Sequence, residues 1–257
     1  MRLWQLASAA FFVYVTAVSL WQGLSRRAAR RALAGAALGL VVLALSAAFE
    51  HPIVTTWLWP PSLLLIGYWS SGQLFVAPRV SHEAALGWLD RRVDVLSIAR
   101  AMPRVVVELL EAAYAGVYLI VPIALAIRIR YLPPPAPDTF WAVVLVTDYI
   151  CFGFLPWVQT RPPRALESVE PWSSSLRRFN LRLLGATSIQ VNTFPSGHAA
   201  EALVAALLVI GAPPAIVMVM FLGAVAVSAG AVLGRYHYLV DAVAGCLVAL
   251  AVFLVLR

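Results

Sequence analysis

The sequence predicts an all-α, polytopic integral membrane bundle of about eight spans. Hydrophobic residues make up 62% of the 257 residues and charged residues only 12%, a balance outside the range of ordinary soluble domains. A bilayer core of ~30 Å needs about 20 mostly apolar residues per helix. Segments that meet this need lie near residues 3–24, 32–49, 54–76, 105–127, 139–159, 195–212, 214–233 and 237–256.

The first of these segments stands where a secretion signal would also stand. Its apolar stretch is longer than the core of a signal peptide and runs into SRRAARRAL without a small-residue cleavage site. We therefore expect a retained anchor, with cleavage as the alternative.

Two segments between the spans have their own patterns. Leu86, Leu89, Val93 and Leu96 recur at helical spacing beside charged residues, which predicts an amphipathic helix on the membrane surface within residues 82–102. The proline-rich stretch LPPPAPD, residues 132–138, predicts a rigid connector outside the membrane.

The basic residues, all of them arginine, predict the orientation of the bundle. One predicted side holds Arg26, Arg27, Arg30, Arg31, Arg79, Arg91, Arg92, Arg100, Arg104, Arg161, Arg164, Arg177, Arg178, Arg182 and Arg235. The other side holds Arg2, Arg128, Arg130 and Arg257. The positive-inside rule makes the richer side cytoplasmic, in a multi-pass protein of the cell membrane. The net charge of +7 is explained by these orienting arginines and by attraction to anionic lipid headgroups. Because the arginines are dispersed over several loops, they argue against a nucleic-acid partner.

A polar cluster opens the sixth apolar segment, in the stretch NTFPSGHAAEAL at residues 192–203. Pro195 and Ser196 suit a helix start, because proline fixes φ and serine caps. Ser196 and Gly197 are expected to leave backbone N–H groups unpaired there, and the positive end of the helix dipole favours an anion. The pattern predicts that Ser196 and Gly197 bind a phosphate group.

Two histidines begin apolar segments at the same predicted face, His198 in the sixth and His237 in the eighth. Asp241 follows His237 by four residues, so on a helix the two share a face and the carboxylate can fix the imidazole tautomer. This arrangement predicts His237 as a nucleophile, Asp241 as the residue that orients it, and His198 as a general acid.

Three arginines of that face are candidate phosphate ligands. Arg161 and Arg164 lie in the loop TRPPR, residues 160–164, and Arg235 stands just before His237. Their forked donors suit phosphate oxygens better than lysine does, and Arg161 is preferred over Arg164. The sequence has no metal-ligand cluster, so neither a metal nor another cofactor is expected.

Four acidic residues fall within predicted spans: Glu108, Glu111, Asp148 and Glu201. Ionisable groups at membrane depth are functional candidates. Glu201 lies three residues after His198 and is either a modulator of that histidine or an interfacial cap. We expect Glu108 and Glu111 to be interfacial, and the sequence assigns no role to Asp148.

At these motifs the chain resembles the type 2 phosphatidic acid phosphatase superfamily, whose pattern is K-x6-R-P, then P-S-G-H, then S-R-x5-H-x3-D. The second motif is intact at residues 195–198, and the third keeps His237 and Asp241. Phe154 and Ala231 stand in place of the family's lysine and arginine. The stretch RYHYLVD, residues 235–241, resembles the H-Y-x-x-D form of the branch that contains inositol phosphorylceramide synthase.

The resemblance implies a six-helix catalytic core within residues 54–257, with residues 1–53 as two additional helices. It also implies a membrane lipid phosphate phosphatase that hydrolyses a phosphomonoester or diphosphate without metal, through a phosphohistidine intermediate. The alternative is a phosphotransferase that moves a phosphoryl headgroup to a lipid or alcohol acceptor. A transporter and an inactive scaffold are further alternatives. The expected partners are membrane lipids and a lipid phosphate substrate, and the oligomeric state is left open.

Overall fold

The computed structural model describes residues 1–132 and 137–256, and helices dominate both ranges. The helices are α1 (Leu3–Trp21), α2 (Arg26–Ala48), α3 (Pro52–Trp57), α4 (Trp59–Gly72), α5 (Val80–Val93), α6 (Val95–Arg100), α7 (Arg104–Tyr131), α8 (Pro137–Gly153), α9 (Ser175–Thr187), α10 (Gly197–Leu208), α11 (Pro214–Leu233) and α12 (Leu239–Leu256). The predicted all-α membrane bundle is confirmed. Most of the predicted proline-rich connector, and Arg257, lie outside the described residues.

Among the described residues, five helices are long and apolar enough to cross a membrane: α1, α2, α7, α11 and α12. The other three predicted spans correspond to shorter helices, with 14 residues in α4, 17 in α8 and 12 in α10. The third span breaks at Leu58 because Pro60 and Pro61 have no N–H to bond the preceding turn. Trp141 Nε1 donates to the carbonyl of Thr56 instead, at 2.7 Å.

The predicted surface helix is two helices, α5 and α6, which meet at Asp94 in the left-handed region with φ 56°. Of the apolar residues in the predicted pattern, Leu86 is buried in the protein and Val93 is 45% exposed. Two carboxylates, Glu83 and Asp90, are also buried on the inward face of α5.

Helix α10 is nearly enclosed by α7, α8, α11 and α12. Its small side chains permit close approach, and α12 comes nearest at Gly245, where a Cβ would collide with the carbonyl oxygen of Ser196. This contact joins the beginnings of α10 and α12. The residues that begin these two helices therefore lie side by side at one end of the bundle.

Contacts between distant parts of the chain support the predicted alternation of loops between two ends. At one end Arg2 donates to Asp138 at 3.0 Å and to Glu50 at 3.3 Å. At the other end Gln22 Nε2 donates to the carbonyl of Pro156 at 2.8 Å. The end that holds Gln22 also holds α5, α6, α9 and the starts of α10 and α12.

Candidate active site

A cavity of about 460 Å³ lies at that end of the bundle, between α4, α7, α8, α9 and α10. Most of its wall is apolar, and its polar groups come from separate elements of the chain. Five of the residues to which the sequence assigned a role in the site line it: Arg164, Gly197, His198, Glu201 and His237.

His237 lies in the short segment between α11 and α12 and is buried. Its N–H donates to the carbonyl of Ala231 at 2.9 Å, which fixes the segment against the end of α11. The imidazole Nδ1 lies 3.5 Å from Asp241 Oδ2. The predicted helical face is wrong, because α12 begins only at Leu239, but the carboxylate still adjoins the ring.

Asp241 itself is held by other donors. Its Oδ2 accepts from the Tyr238 N–H at 2.9 Å and from Asn192 Nδ2 at 3.0 Å. The 3.5 Å approach to His237 is an electrostatic contact and not a hydrogen bond, so Nδ1 has no hydrogen-bond partner. Asn192 was not predicted as a site residue, and its only sequence signal is its place at the start of NTFPSGH.

His198 is the second residue of α10, and its ring centroid lies 5.8 Å from that of His237. Tyr114 stacks on it at 5.2 Å, and Tyr236 stacks on Tyr114 at 4.0 Å. His198 Nε2 has no hydrogen-bond partner. The stack fixes the plane of the ring, while this nitrogen is left for a ligand.

The start of α10 differs in part from the prediction. Ser196 caps the helix, with Oγ accepting from the Ala199 N–H at 3.4 Å. Its own N–H is not free, because it donates to the carbonyl of Asp241 at 2.9 Å. The prediction that Ser196 offers an unpaired N–H is therefore wrong. Gly197 lines the cavity as the first residue of the helix, where the N–H has no partner within the helix.

The three candidate arginines do not lie in the same cavity. Arg164 lines the cavity, with Nη1 3.4 Å from the carbonyl oxygen of Tyr236 and the guanidinium 5.5 Å from the Tyr236 ring centroid. Arg161 instead forms two bonds to Glu83, from Nε at 2.8 Å and from Nη2 at 2.9 Å. Arg161 does not line the cavity that holds His198 and His237, called the histidine cavity below. The preference for Arg161 over Arg164 is therefore not supported by the geometry.

Arg235 is also placed away from the histidine cavity, although it stands two residues before His237. Its Nη1 donates to Asp90 at 2.6 Å and its Nη2 to Glu167 at 2.7 Å. Arg235, Arg161 and their carboxylate partners line a second hollow against α5. Of the predicted arginines, only Arg164 is in place to contact a ligand beside the histidines.

A family model described as the PAP2 superfamily matches residues 80–255, a range that holds both histidines, Asp241 and the arginine loop. The chain belongs to the type 2 phosphatidic acid phosphatase superfamily. This membership gives the protein a phosphatase- or phosphotransferase-type activity. No curated protein and no solved structure gave a match.

The histidine cavity of this PAP2 protein is electrostatically suited to an unprotonated nucleophile. Burial, together with the positive charge of Arg164, lowers the pKa of His237 to about 3. At neutral pH the imidazole is therefore uncharged, and a ring nitrogen keeps its lone pair. Outside the cavity, the hydrogen bonds from Arg161 lower the pKa of Glu83, so that pair stays ionised at neutral pH.

One acidic residue expected at the interface is instead buried behind the site. Glu111 accepts from Trp172 Nε1 at 2.7 Å, Asn180 Nδ2 at 2.6 Å and the Tyr236 hydroxyl at 2.8 Å. Arg177 adds an ion pair at 3.3 Å. The network fixes Tyr236, and through the stack of rings it supports His198.

Glu201 and Asp148 both line the cavity as well. Glu201 follows His198 by one helical turn, which leaves open the predicted role as a modulator of that histidine. Asp148, to which the sequence assigned no role, is 2% exposed, and its Oδ2 has no hydrogen-bond partner.

Proposed function

We propose that the protein is a membrane lipid phosphate phosphatase that forms a phosphohistidine intermediate at His237. The observation that carries the proposal is the facing pair of imidazoles, His198 and His237, beside Arg164 in one largely apolar cavity. A phosphoryl group needs little covalent help from a protein beyond an in-line nucleophile, a proton donor and a positive charge for its oxygens. These three residues can supply that set.

The walls of the cavity support a lipid as the substrate. Leu65 and Trp69 of α4 and Tyr118 of α7 line it and are each about half exposed, at 47%, 48% and 48%. In a membrane-spanning bundle, exposed apolar side chains at this depth face lipid. The cavity therefore opens sideways between α4 and α7, where an acyl chain can remain in the bilayer while its phosphate reaches the histidines.

In the first half of the proposed reaction, His237 Nε2 attacks phosphorus, because Nδ1 faces Asp241. The P–N bond forms while the bond from phosphorus to the leaving oxygen breaks, and His198, which takes up a proton as the anionic phosphate binds beside it, gives that oxygen the proton. Arg164 and the N–H groups at the start of α10 stabilise the remaining phosphoryl oxygens. The rise of positive charge on His237 is balanced by the carboxylate of Asp241.

In the second half, water attacks the phosphohistidine on the side the leaving group has vacated. His198, now unprotonated, takes a proton from the water, the P–N bond breaks, and inorganic phosphate leaves. Both histidines then return to their initial states. No step in this scheme uses a metal ion, so we expect turnover to survive a chelator and to be inhibited by vanadate, which mimics the five-coordinate phosphorus.

A second candidate is phosphotransfer, in which a lipid or other alcohol replaces water in the second half. It is favoured by the third motif, where Arg235 pairs with Asp90 and Glu167 and the H-Y-x-x-D form replaces the phosphatase pattern. The first half of the reaction is the same in both candidates.

The assay that tests the proposal is phosphate release by the purified protein in detergent from phosphatidic acid, phosphatidylglycerol phosphate and polyprenyl diphosphate. Release should vanish in His237→Ala and persist in His51→Ala. His51 is a matched control because it is an exposed histidine that does not line the cavity. Equal release by His237→Ala and the wild type would contradict the proposal. Transfer without release would indicate the second candidate.

We further propose a six-helix catalytic core within residues 54–257, with α1 and α2 as an addition, in the cell membrane with the active site at the cytoplasmic face. The arginine bias supports this orientation. A reporter fused to the C terminus should then be external, and a cytoplasmic reporter signal would reverse the orientation.

A further inference from the structure

Asp148 differs from the other buried carboxylates that the structure describes. Glu83 and Asp90 are paired with arginines, Glu111 accepts from several donors, and Asp241 accepts from a backbone N–H and an amide. Asp241 also has an unpartnered oxygen, Oδ1, but its Oδ2 is held by those two donors. Asp148 is 2% exposed, its Oδ2 has no partner, and no hydrogen bond to its side chain is found among the described residues. A buried polar group costs free energy unless it is bonded, so an unbonded one that faces a cavity indicates a ligand.

The unpartnered carboxylate lies next to the proposed phosphate site. Asp148 Oδ1 is 3.7 Å from the position that a Cβ would take on Gly197, the first residue of α10. Glu201 lies one turn further along the same helix, about 4.5 Å of rise beyond His198. Both carboxylates line the cavity that holds His198 and His237.

Two acidic groups beside a phosphate site do not attract the phosphate itself. Arg164 is the only lysine or arginine among the described residues that line this cavity, and it faces the Tyr236 side of the cavity. The carboxyl oxygens of Asp148 and Glu201 are acceptors that need donors from elsewhere. The neighbouring part of the substrate is the alcohol esterified to the phosphate.

We propose that Asp148 and Glu201 form a subsite that accepts hydrogen bonds from the headgroup alcohol of a phosphodiester lipid. The shared chemistry is an O–H or N–H donor close to the phosphate, supplied by hydroxyl groups or by a primary ammonium group. A quaternary ammonium headgroup has no such donor and is disfavoured. This inference rests on the proposed function only in placing the phosphoryl group between His237 and Arg164.

The test compares binding of three short-chain lipids to the wild-type protein in detergent, measured by native mass spectrometry. Phosphatidylethanolamine and phosphatidylcholine differ at the nitrogen, where only the first has N–H donors, and phosphatidylglycerol offers hydroxyl donors without positive charge. We expect phosphatidylethanolamine, phosphatidylglycerol or both to bind about tenfold or more tightly than phosphatidylcholine, because a headgroup without a donor leaves the buried carboxyl oxygens unbonded. The stronger of the two identifies ammonium or hydroxyl as the source of the donor.

The variants Asp148→Leu and Glu201→Gln should each reduce this preference, and together they should abolish it. Asp148→Leu should also leave thermal stability in detergent unchanged or raised, because it removes an unbonded buried carboxyl at similar volume. A merely structural Asp148 would lower stability and leave the preference intact. Should Asp148→Leu fail to fold, Glu201→Gln alone decides the result.

The inference would be overturned if the wild type showed no preference over phosphatidylcholine, including the case in which binding of all three lipids is undetectable. A preference that survives in the variants would also overturn it. The outcome is independent of turnover. Failure of the proposed function would appear in a different experiment, the release of phosphate from phosphatidic acid, which has no headgroup alcohol. If His237→Ala leaves that release unchanged, the proposed function is wrong.

Discussion

Arg161 and Arg164 stand three residues apart in one loop but meet different partners. Arg164 faces the histidines, while Arg161 is bound by Glu83. We expect Arg164→Ala to lower kcat/KM by about 100-fold or more, because a fixed positive charge on the transferring phosphoryl group is lost. Arg161→Ala is the matched control and should cost less than about tenfold. Steady-state kinetics on one lipid phosphate measures both, and a larger loss in Arg161→Ala would contradict the assignment.

The protonation state of His237 can be measured directly. Its pKa is lowered to about 3 by burial and by Arg164, so the ring should remain neutral and nucleophilic well below the ordinary histidine pKa of about 6.5. Carbethoxylation by diethyl pyrocarbonate requires the neutral ring. Mass spectrometry of the His237 peptide should show little loss of modification rate between pH 7 and about pH 5, relative to a free histidine peptide added to the same reaction. A rate that halves near pH 6.5 would contradict this.

At the scale of single residues, the sequence predicted which histidines meet in one cavity but not the partners of the arginines. His198, His237 and Gly197 meet at the cavity because each stands at the boundary of an apolar segment, which is visible in the sequence. Arg161 pairs with Glu83 and Arg235 pairs with Asp90, and both carboxylates lie on α5, far away in the chain. Only the packing of α5 against the loops brings these charges together, and no local spacing reveals it.

Helix α5 positions the segment that carries His237. Asp90 accepts from Arg235 Nη1 at 2.6 Å and from the Leu239 N–H at 2.8 Å. These two donors stand two residues before and two residues after His237, so Asp90 holds the segment on both sides of the histidine. Arg235 holds φ at 61°, in the left-handed region, and its side chain is anchored by this bond. We infer that Asp90 is a positioning residue that keeps His237 aimed into the cavity.

Asp90→Ala should therefore lower kcat about tenfold or more with a smaller change in KM, because a displaced nucleophile affects the transition state more than binding. The control is Asp94→Asn, which removes an exposed negative charge on the same segment but keeps a residue that can cap α6 and adopt the left-handed conformation. Partial recovery of kcat in Asp90→Glu would support positioning. An unchanged kcat in Asp90→Ala would show that α5 is not needed to hold the segment.

The close approach of α12 to α10 gives a second prediction for the elements. A Cβ at Gly245 would collide with the carbonyl oxygen of Ser196, whereas one at Gly223 in α11 would meet nothing within 4 Å. We expect Gly245→Ala to lower both thermal stability in detergent and turnover, since α12 must shift and His237 lies just before it. Gly223→Ala should be neutral or slightly stabilising. Equal behaviour of the two variants would contradict this packing.

Apolar length predicted the helices well, but not their interruptions. The break at Leu58 follows from two prolines whose effect on the helix is local, so it was accessible from the sequence. The break at Asp94 was not, because a non-glycine residue in the left-handed region is stable only where surrounding contacts require it. The hydrogen bond from the Ser196 N–H to the Asp241 carbonyl likewise depends on a distant helix.

For the whole molecule, the fold places both histidines in one cavity, which we propose opens laterally to lipid. Apolar composition predicts a membrane bundle, and the order of spans predicts which loops share an end. Neither predicts a lateral opening between α4 and α7, because an opening results from which helices do not pack together. The half-exposed Leu65, Trp69 and Tyr118 mark it only once the helices are assembled.

The central claim is that His237 carries the phosphoryl group during turnover. The most direct test is rapid acid-free quenching of the protein with its lipid phosphate substrate, followed by peptide mass spectrometry, in the wild type and in His237→Ala. The account predicts one added phosphoryl group on His237 in the wild type, or that group with its headgroup for a phosphodiester, and no such label in His237→Ala. Turnover with no label on His237, or with the label on another residue, would contradict the account.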